Sequence, residues 1–179
     1  MAKQATMQTS EYRTLFRHME WADALIWNAV VKLGPANQDQ RLLDRLYHLH
    51  SVQWAYLKVW QGQPLEFREL ASFKDLAAMA PWARSYYREL SSFAATLEGA
   101  ALGRNVEFPW ADQVVKRFGA AAPATLGESV LHVALHSTYH RGQIATRVRE
   151  LEGEPPLTDL IAWLWTARPE PRWESGGAG

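Results

Sequence analysis

The chain contains no cysteine. That excludes disulfides, thiolate metal ligands and a protein-borne thiol nucleophile, and it limits any metal site to nitrogen and oxygen donors. Neither sign of charge is in excess: Lys and Arg total 19, Asp and Glu total 19, and the pI is near 7.0. With no basic run to follow a phosphate backbone, nucleic-acid binding is disfavoured. No stretch approaches the ~18 uninterrupted apolar residues of a membrane span, and Met1 to Ser10 is polar where a leader would be apolar. The expectation is a soluble cytoplasmic protein with no membrane partner. No glutamate is followed by His three residues on, which disfavours a di-iron carboxylate bundle.

What is present fits one domain, 1–179, of a size that buries roughly 70% of its unfolded surface. Nine tryptophans favour a well-filled helical core first and an apolar substrate pocket second.

Glu11 to Leu33 has no Pro or Gly, and Leu15, Met19, Ala22, Ile26, Ala29 and Val30 recur at helical intervals. Ser10 is the expected N-cap of this first helix and Gly34-Pro35 its stop. A second helix is read over Asp39 to Gln61, closed by Gly62-Gln63-Pro64, and a third over Pro81 to Glu98, with Pro81 in its first turn. Gly99 to Pro123 is the least helical part. Val106 to Phe108 and Val114 to Phe118 read there as two extended segments of a hairpin, with Trp110 a candidate pocket wall. A fourth helix runs from about Ala124 to Leu151 or Glu152, ended by Gly153 and Pro155-Pro156, and a short fifth, capped by Thr158-Asp159, runs through Thr166. Residues 1–9 and 168–179 read as flexible tails. The fold class is therefore all-α: a four-helix bundle with a short C-terminal fifth helix and an irregular, hairpin-containing connection between helices 3 and 4.

Three of the six histidines, His132, His136 and His140, lie in the fourth helix at four-residue spacing. Each step of four carries a side chain about 40° round and about 6 Å along the axis, so the three share a stripe. Two imidazoles one turn apart can grip a single cation, and a third ligand must come from elsewhere in the fold. A lone His on such a face is more often a hydrogen-bonded core residue. The remaining histidines are His18, read as a surface or supporting residue, and His48 and His50 in the second helix. The last two point about 200° apart, so only one of them can face the stripe, and periodicity does not choose between them. A zinc protease is disfavoured because His136 to His140 encloses no Glu.

The run His132-Val133-Ala134-Leu135-His136-Ser137-Thr138-Tyr139-His140-Arg141-Gly142-Gln143-Ile144-Ala145, followed by Glu154-Pro155-Pro156-Leu157-Thr158-Asp159, resembles the DinB (damage-inducible) family and its YfiT-like relatives. Leu46-x-His48-Leu49 and Trp21-Ala22-Asp23 are similar too, whereas Gln53 and Tyr56 stand where relatives tend to carry an acidic residue and Trp. The resemblance implies a metal-binding four-helix bundle whose ligand histidines fall on His48, His136 and His140, with His50 the substitute for His48. His132 becomes a neighbour, and His50 otherwise a packing or surface residue. Zinc or nickel suits such a site best, with iron, cobalt, manganese or copper also compatible with imidazole.

Some relatives activate a low-molecular-weight thiol and transfer it to an electrophile. The resemblance thus implies a metal-dependent thiol S-transferase, the thiol arriving as a cosubstrate since the chain has none. The alternatives are a hydrolase using a metal-bound hydroxide and a non-catalytic metal-binding stress-response protein. Gln143, on the face of His140, and Tyr139 are candidates to support the site. Arg141 reads as a salt-bridge partner at the bundle surface or an interface. A homodimer is the expected assembly from the resemblance.

Overall fold

The computed structural model describes residues 8–34 and 38–174. Four long helices make the bundle: α1 (Thr9–Lys32), α2 (Gln40–Trp60), α3 (Leu76–Thr96) and α5 (Leu126–Glu150). Two short helices, α4 (Ala111–Phe118) and α6 (Leu160–Trp165), and two short strands, β1 (Asn105–Val106) and β2 (Ala124–Thr125), complete it. No described helix is long and apolar enough to cross a membrane.

Helix starts follow from local capping chemistry. Asp39 accepts from the Leu42 backbone N–H at 2.9 Å to open α2, and Asp75 does the same for Ala78 at 2.8 Å to open α3. α5 begins with a capping box: Thr125 Oγ1 accepts from the Glu128 N–H at 3.2 Å while Glu128 Oε2 accepts from the Thr125 N–H at 2.8 Å. α1 starts at Thr9 behind Gln8, one turn's edge earlier than the Ser10 cap predicted.

The buried apolar residues form two clusters stacked along the bundle. One gathers Phe16, Met19, Leu57, Tyr86, Leu90 and Val133, the other Ile26, Leu42, Leu49, Met79, Ile144 and Val148. In chain order α1 and α5 run from the first cluster to the second, and α2 and α3 run the opposite way. Two consecutive helices pointing alike need a connection as long as a helix. Residues 61–75 meet that need, since an extended chain reaches about 3.3 Å per residue and rises only about 1.5 Å per residue in a helix. α5 touches both α1 and α2, and α3 touches both from the other side, so the long helices close a ring.

Three expectations are corrected. α3 begins five residues before Pro81, which lies inside it; the Asp75 cap opens that earlier turn, and burial of Leu76 and Met79 in the core offsets the roughly 3 kcal/mol that a proline costs a helix interior. The connection between α3 and α5 does hold a hairpin-like pair, but β1 pairs antiparallel with β2, Asn105 opposite Thr125 and Val106 opposite Ala124. Val114 to Phe118, read as extended, is helical in α4, which is stopped by Gly119 at φ +82. Residues 168–174 are docked along α1: Asn28 Nδ2 donates to the Arg172 carbonyl at 2.7 Å, the Glu174 N–H donates to Asn28 Oδ1 at 2.9 Å, and Trp173 packs on Tyr87. The expected tails at 1–7 and 175–179 lie outside the described residues.

Candidate metal centre

Between the two apolar clusters sits a layer of buried polar side chains, one or two from each long helix: Asp23, His50, Gln53, Tyr87, Ser137 and Arg141. Asp23 and Arg141 are its charged pair, with Arg141 Nη1 donating to Asp23 Oδ1 at 2.8 Å and side chains 0% and 2% exposed. The second carboxylate oxygen accepts from Gln53 Nε2 at 2.8 Å and from the Tyr87 hydroxyl. Trp27 Nε1 donates to His50 Nε2 at 2.8 Å, so His50 Nδ1 carries the proton and donates to Gln53 Oε1 at 2.7 Å. Burial alone would raise the Asp23 pKa, but the Arg141 charge and the hydrogen bonds from Tyr87 and Gln53 outweigh it and hold the carboxyl below its ordinary range.

This layer fixes how α5 is rotated against α1 and α2, and so where its outward face points. His136 and His140 lie on that face and meet His48 from α2. The ring centroids are 4.5 Å apart for His48 and His140, 5.3 Å for His48 and His136, and 4.3 Å for His136 and His140. One nitrogen from each ring lies within 4.8 Å of the other two. Nε2 of His136 and Nε2 of His140 are 3.1 Å apart. Two nitrogens sharing one tetrahedral ion at about 2.0–2.1 Å would stand about 3.3 Å apart.

The donor chemistry also fits a cation. Gln143 Oε1 lies 3.0 Å from His140 Nδ1 and accepts a hydrogen bond from its N–H, which leaves Nε2 with the lone pair, aimed at His136. His136 Nδ1 is buried with no hydrogen-bond partner among the described residues. Burial, then the neighbouring His140, His48 and His132 rings, pushes His136 down to about 4; burial and His48 lower His140 as well. Both rings are therefore neutral at pH 7, the state in which imidazole binds metal. The three-histidine group can hold a metal ion in an all-nitrogen site, leaving the remaining coordination positions to other molecules.

Of the sequence-predicted residues, the structure brings together His48, His136, His140 and Gln143. Tyr139 is 65% exposed and stands edge-on to His140, with ring centroids 5.2 Å apart. His132 lies one turn from His136 at 5.6 Å between ring centroids, outside the cluster. Trp110 lines a cavity that includes His132 and His136. His50 points into the core, away from the cluster.

Two further expectations are corrected. Arg141 is not at the surface or an interface, because the only buried carboxylate among the described residues, Asp23, lies opposite it. His18 is buried too, its Nε2 2.9 Å from the Thr158 carbonyl and its ring against Trp163.

Asp23 and Arg141 were not legible as a pair from sequence. A signal for Asp23 existed: it falls four residues after Met19 and three before Ile26, on the apolar stripe of α1, where an unpaired carboxylate does not belong. Its partner sits 118 positions away, and nothing local announces it.

The DinB family model matches residues 7–174 of the chain. Among curated proteins, none matches.

Proposed function

The chain belongs to the DinB family, and from that membership and the convergence of three imidazoles we propose that it is a metal-dependent thiol S-transferase. The observation that carries the proposal is the His48, His136 and His140 cluster, open to solvent at His48 and bordered by a cavity at His136. Three neutral ligands leave a divalent ion its full charge and an open position, the pattern of catalytic rather than closed structural sites. When bound, a zinc or nickel ion would supply Lewis acidity, lowering the pKa of a thiol that coordinates it.

The chain's own groups do the rest. His140 offers an Nε2 lone pair, Gln143 keeps it in the tautomer that does so, and His48 and His136 each offer one ring nitrogen. The buried Asp23–Arg141 pair holds α5 in the rotation that faces both rings toward α2. The chain has no cysteine to compete for an electrophile or a soft metal. In the transfer itself the cosubstrate sulfur forms a bond to the electrophilic carbon. The carbon's bond to its leaving group breaks with the electron pair on that group, and the S–H proton passes to solvent past exposed His48.

The test is turnover of an activated aryl halide by protein loaded with defined amounts of zinc or nickel, with and without an added low-molecular-weight thiol. A thiol-dependent rate that scales with metal and vanishes in His140→Ala is expected. No thiol-dependent rate at any loading would overturn the proposal. Metal-dependent turnover without thiol would favour hydrolysis, and unfolding on chelation with no turnover would favour a metal-binding role.

A further inference from the structure

The cavity beside the histidine cluster has a volume of about 370 Å³, near the lower end of the ~300–1,000 Å³ range of small-molecule pockets. Its walls are mostly rings: Tyr47, Tyr56, Phe67 and Trp110 line it, with Val52 and Ala55 beneath. The rings are held by one another. Tyr56 lies 5.1 Å from Trp110 and from Phe108, and 5.2 Å from His132, all between centroids. Those separations are the ones aromatic stacking prefers, so the walls present π surfaces already in place.

Polar functionality in the cavity is sparse and uncharged. No carboxylate, ammonium or guanidinium lines it among the described residues. The Tyr47 hydroxyl is engaged, donating to the Arg68 carbonyl at 3.1 Å. Ser51 Oγ, one turn after His48 on α2, is buried with no hydrogen-bond partner among the described residues. A charged ligand would lose its hydration here with nothing to replace it, whereas a flat neutral one would stack and satisfy Ser51. His136 belongs to both the cavity wall and the histidine cluster, so a ligand in the cavity ends beside the cluster.

We propose that this cavity is the binding site for a neutral one- or two-ring aromatic compound, packed against the wall that Tyr56 and Trp110 form together and hydrogen-bonded through a single polar group to Ser51. That this ligand is the electrophile of the transfer rests on the thiol-transferase reading; its binding does not.

The test uses the full chain, without metal or thiol, at pH 7.5, with three probes of one shape: 2-naphthol, naphthalene and 2-naphthoate. Binding is followed by equilibrium dialysis. The expected order has 2-naphthol at least about tenfold tighter than 2-naphthoate, since the anion must be desolvated without a partner. Trp110→Ala and Tyr56→Ala each weaken 2-naphthol by about tenfold through lost ring contact. Ser51→Ala weakens 2-naphthol by about fivefold and leaves naphthalene unchanged.

Equal or tighter binding of 2-naphthoate overturns the assignment. So does a Trp110→Ala protein that binds as well as the parent, or a Ser51→Ala protein that loses both neutral probes alike. The two proposals fail separately. Binding with this pattern in a protein that shows no thiol-dependent turnover keeps the cavity site and removes the transferase. Turnover of aryl halides unaffected by Trp110→Ala and Tyr56→Ala keeps the transferase and removes the cavity site.

Discussion

Replacing Arg141 by Met removes the guanidinium that pairs with Asp23 and keeps most of the side-chain volume. Two numbers bound the loss. Breaking a buried ion pair by deleting one partner costs about 3–5 kcal/mol, because the other charge is left uncompensated. The carboxylate has an escape, which is to take up a proton, and for a group of ordinary pKa ~3.9 that costs about 1.36 kcal/mol per pH unit, or about 4 kcal/mol at pH 7. Arg141→Met should therefore lose about 3–4 kcal/mol at pH 7 and only about 2 kcal/mol at pH 5.5.

The sign reverses between the two proteins. In the parent the Asp23 pKa is depressed, so its contribution is present above its unfolded value and is lost only as pH falls through the folded one. In the variant the folded carboxyl is raised, so acidification relieves the penalty. Urea unfolding of both proteins at matched pH between 5 and 7.5 measures the difference, and the titrations of His136 and His140, on which Arg141 does not act, are common to both. A loss below about 1 kcal/mol at pH 7, or one that does not shrink toward pH 5, would refute the account of the buried layer. The pair Asp23→Asn with Arg141→Met should recover most of the loss, since no charge then remains unpaired.

Three further outcomes are expected. Gln143→Leu should weaken zinc binding by about 10–100-fold, the usual effect of losing a partner that orients a ligand histidine, and His48→Ala, His136→Ala and His140→Ala should each weaken it further. Competition with a chromophoric chelator gives the affinities, and parent-like affinity in Gln143→Leu would dismiss its role in setting the tautomer. In the metal-free protein the His136 ring should titrate near pH about 4 rather than 6.5. Its depressed pKa gives a contribution to stability that is full above 6.5 and lost as pH falls toward 4. Imidazole NMR reads the midpoint directly, and a value above 6 would contradict the burial of that ring. Gly127→Ala should destabilise by about 1–3 kcal/mol, because a Cβ there would lie 2.6 Å from the Tyr12 hydroxyl oxygen and 3.3 Å from the Leu102 carbonyl oxygen. Thermal unfolding tests this, and an unchanged midpoint would mean that α1 can yield at Tyr12.

Sequence alone determined what is local. Helical periodicity, the start of the second helix at Asp39, the Gly62 stop and the four-residue spacing of His136 and His140 depend only on residues within a turn or two, so they could be read off the chain. So could the character of any metal site, because the absence of cysteine restricts the donors whatever the fold. Periodicity could not choose between His48 and His50, as both lie on partly apolar strips of one helix. Resemblance pointed to His48, and the tertiary structure turned it toward α5 and sent His50 to the Trp27 N–H.

Only the folded chain decided the rest. Val114 to Phe118 has the β-branched and aromatic content of a strand, but β2 formed at Ala124–Thr125 instead and left that segment as a free-standing helix with no buried residue. Propensity is a weak prior against pairing decided elsewhere. The Asp23–Arg141 pair joins residues 118 positions apart. A buried charge is stable only where a distant partner arrives, and no feature of either neighbourhood encodes which partner that will be.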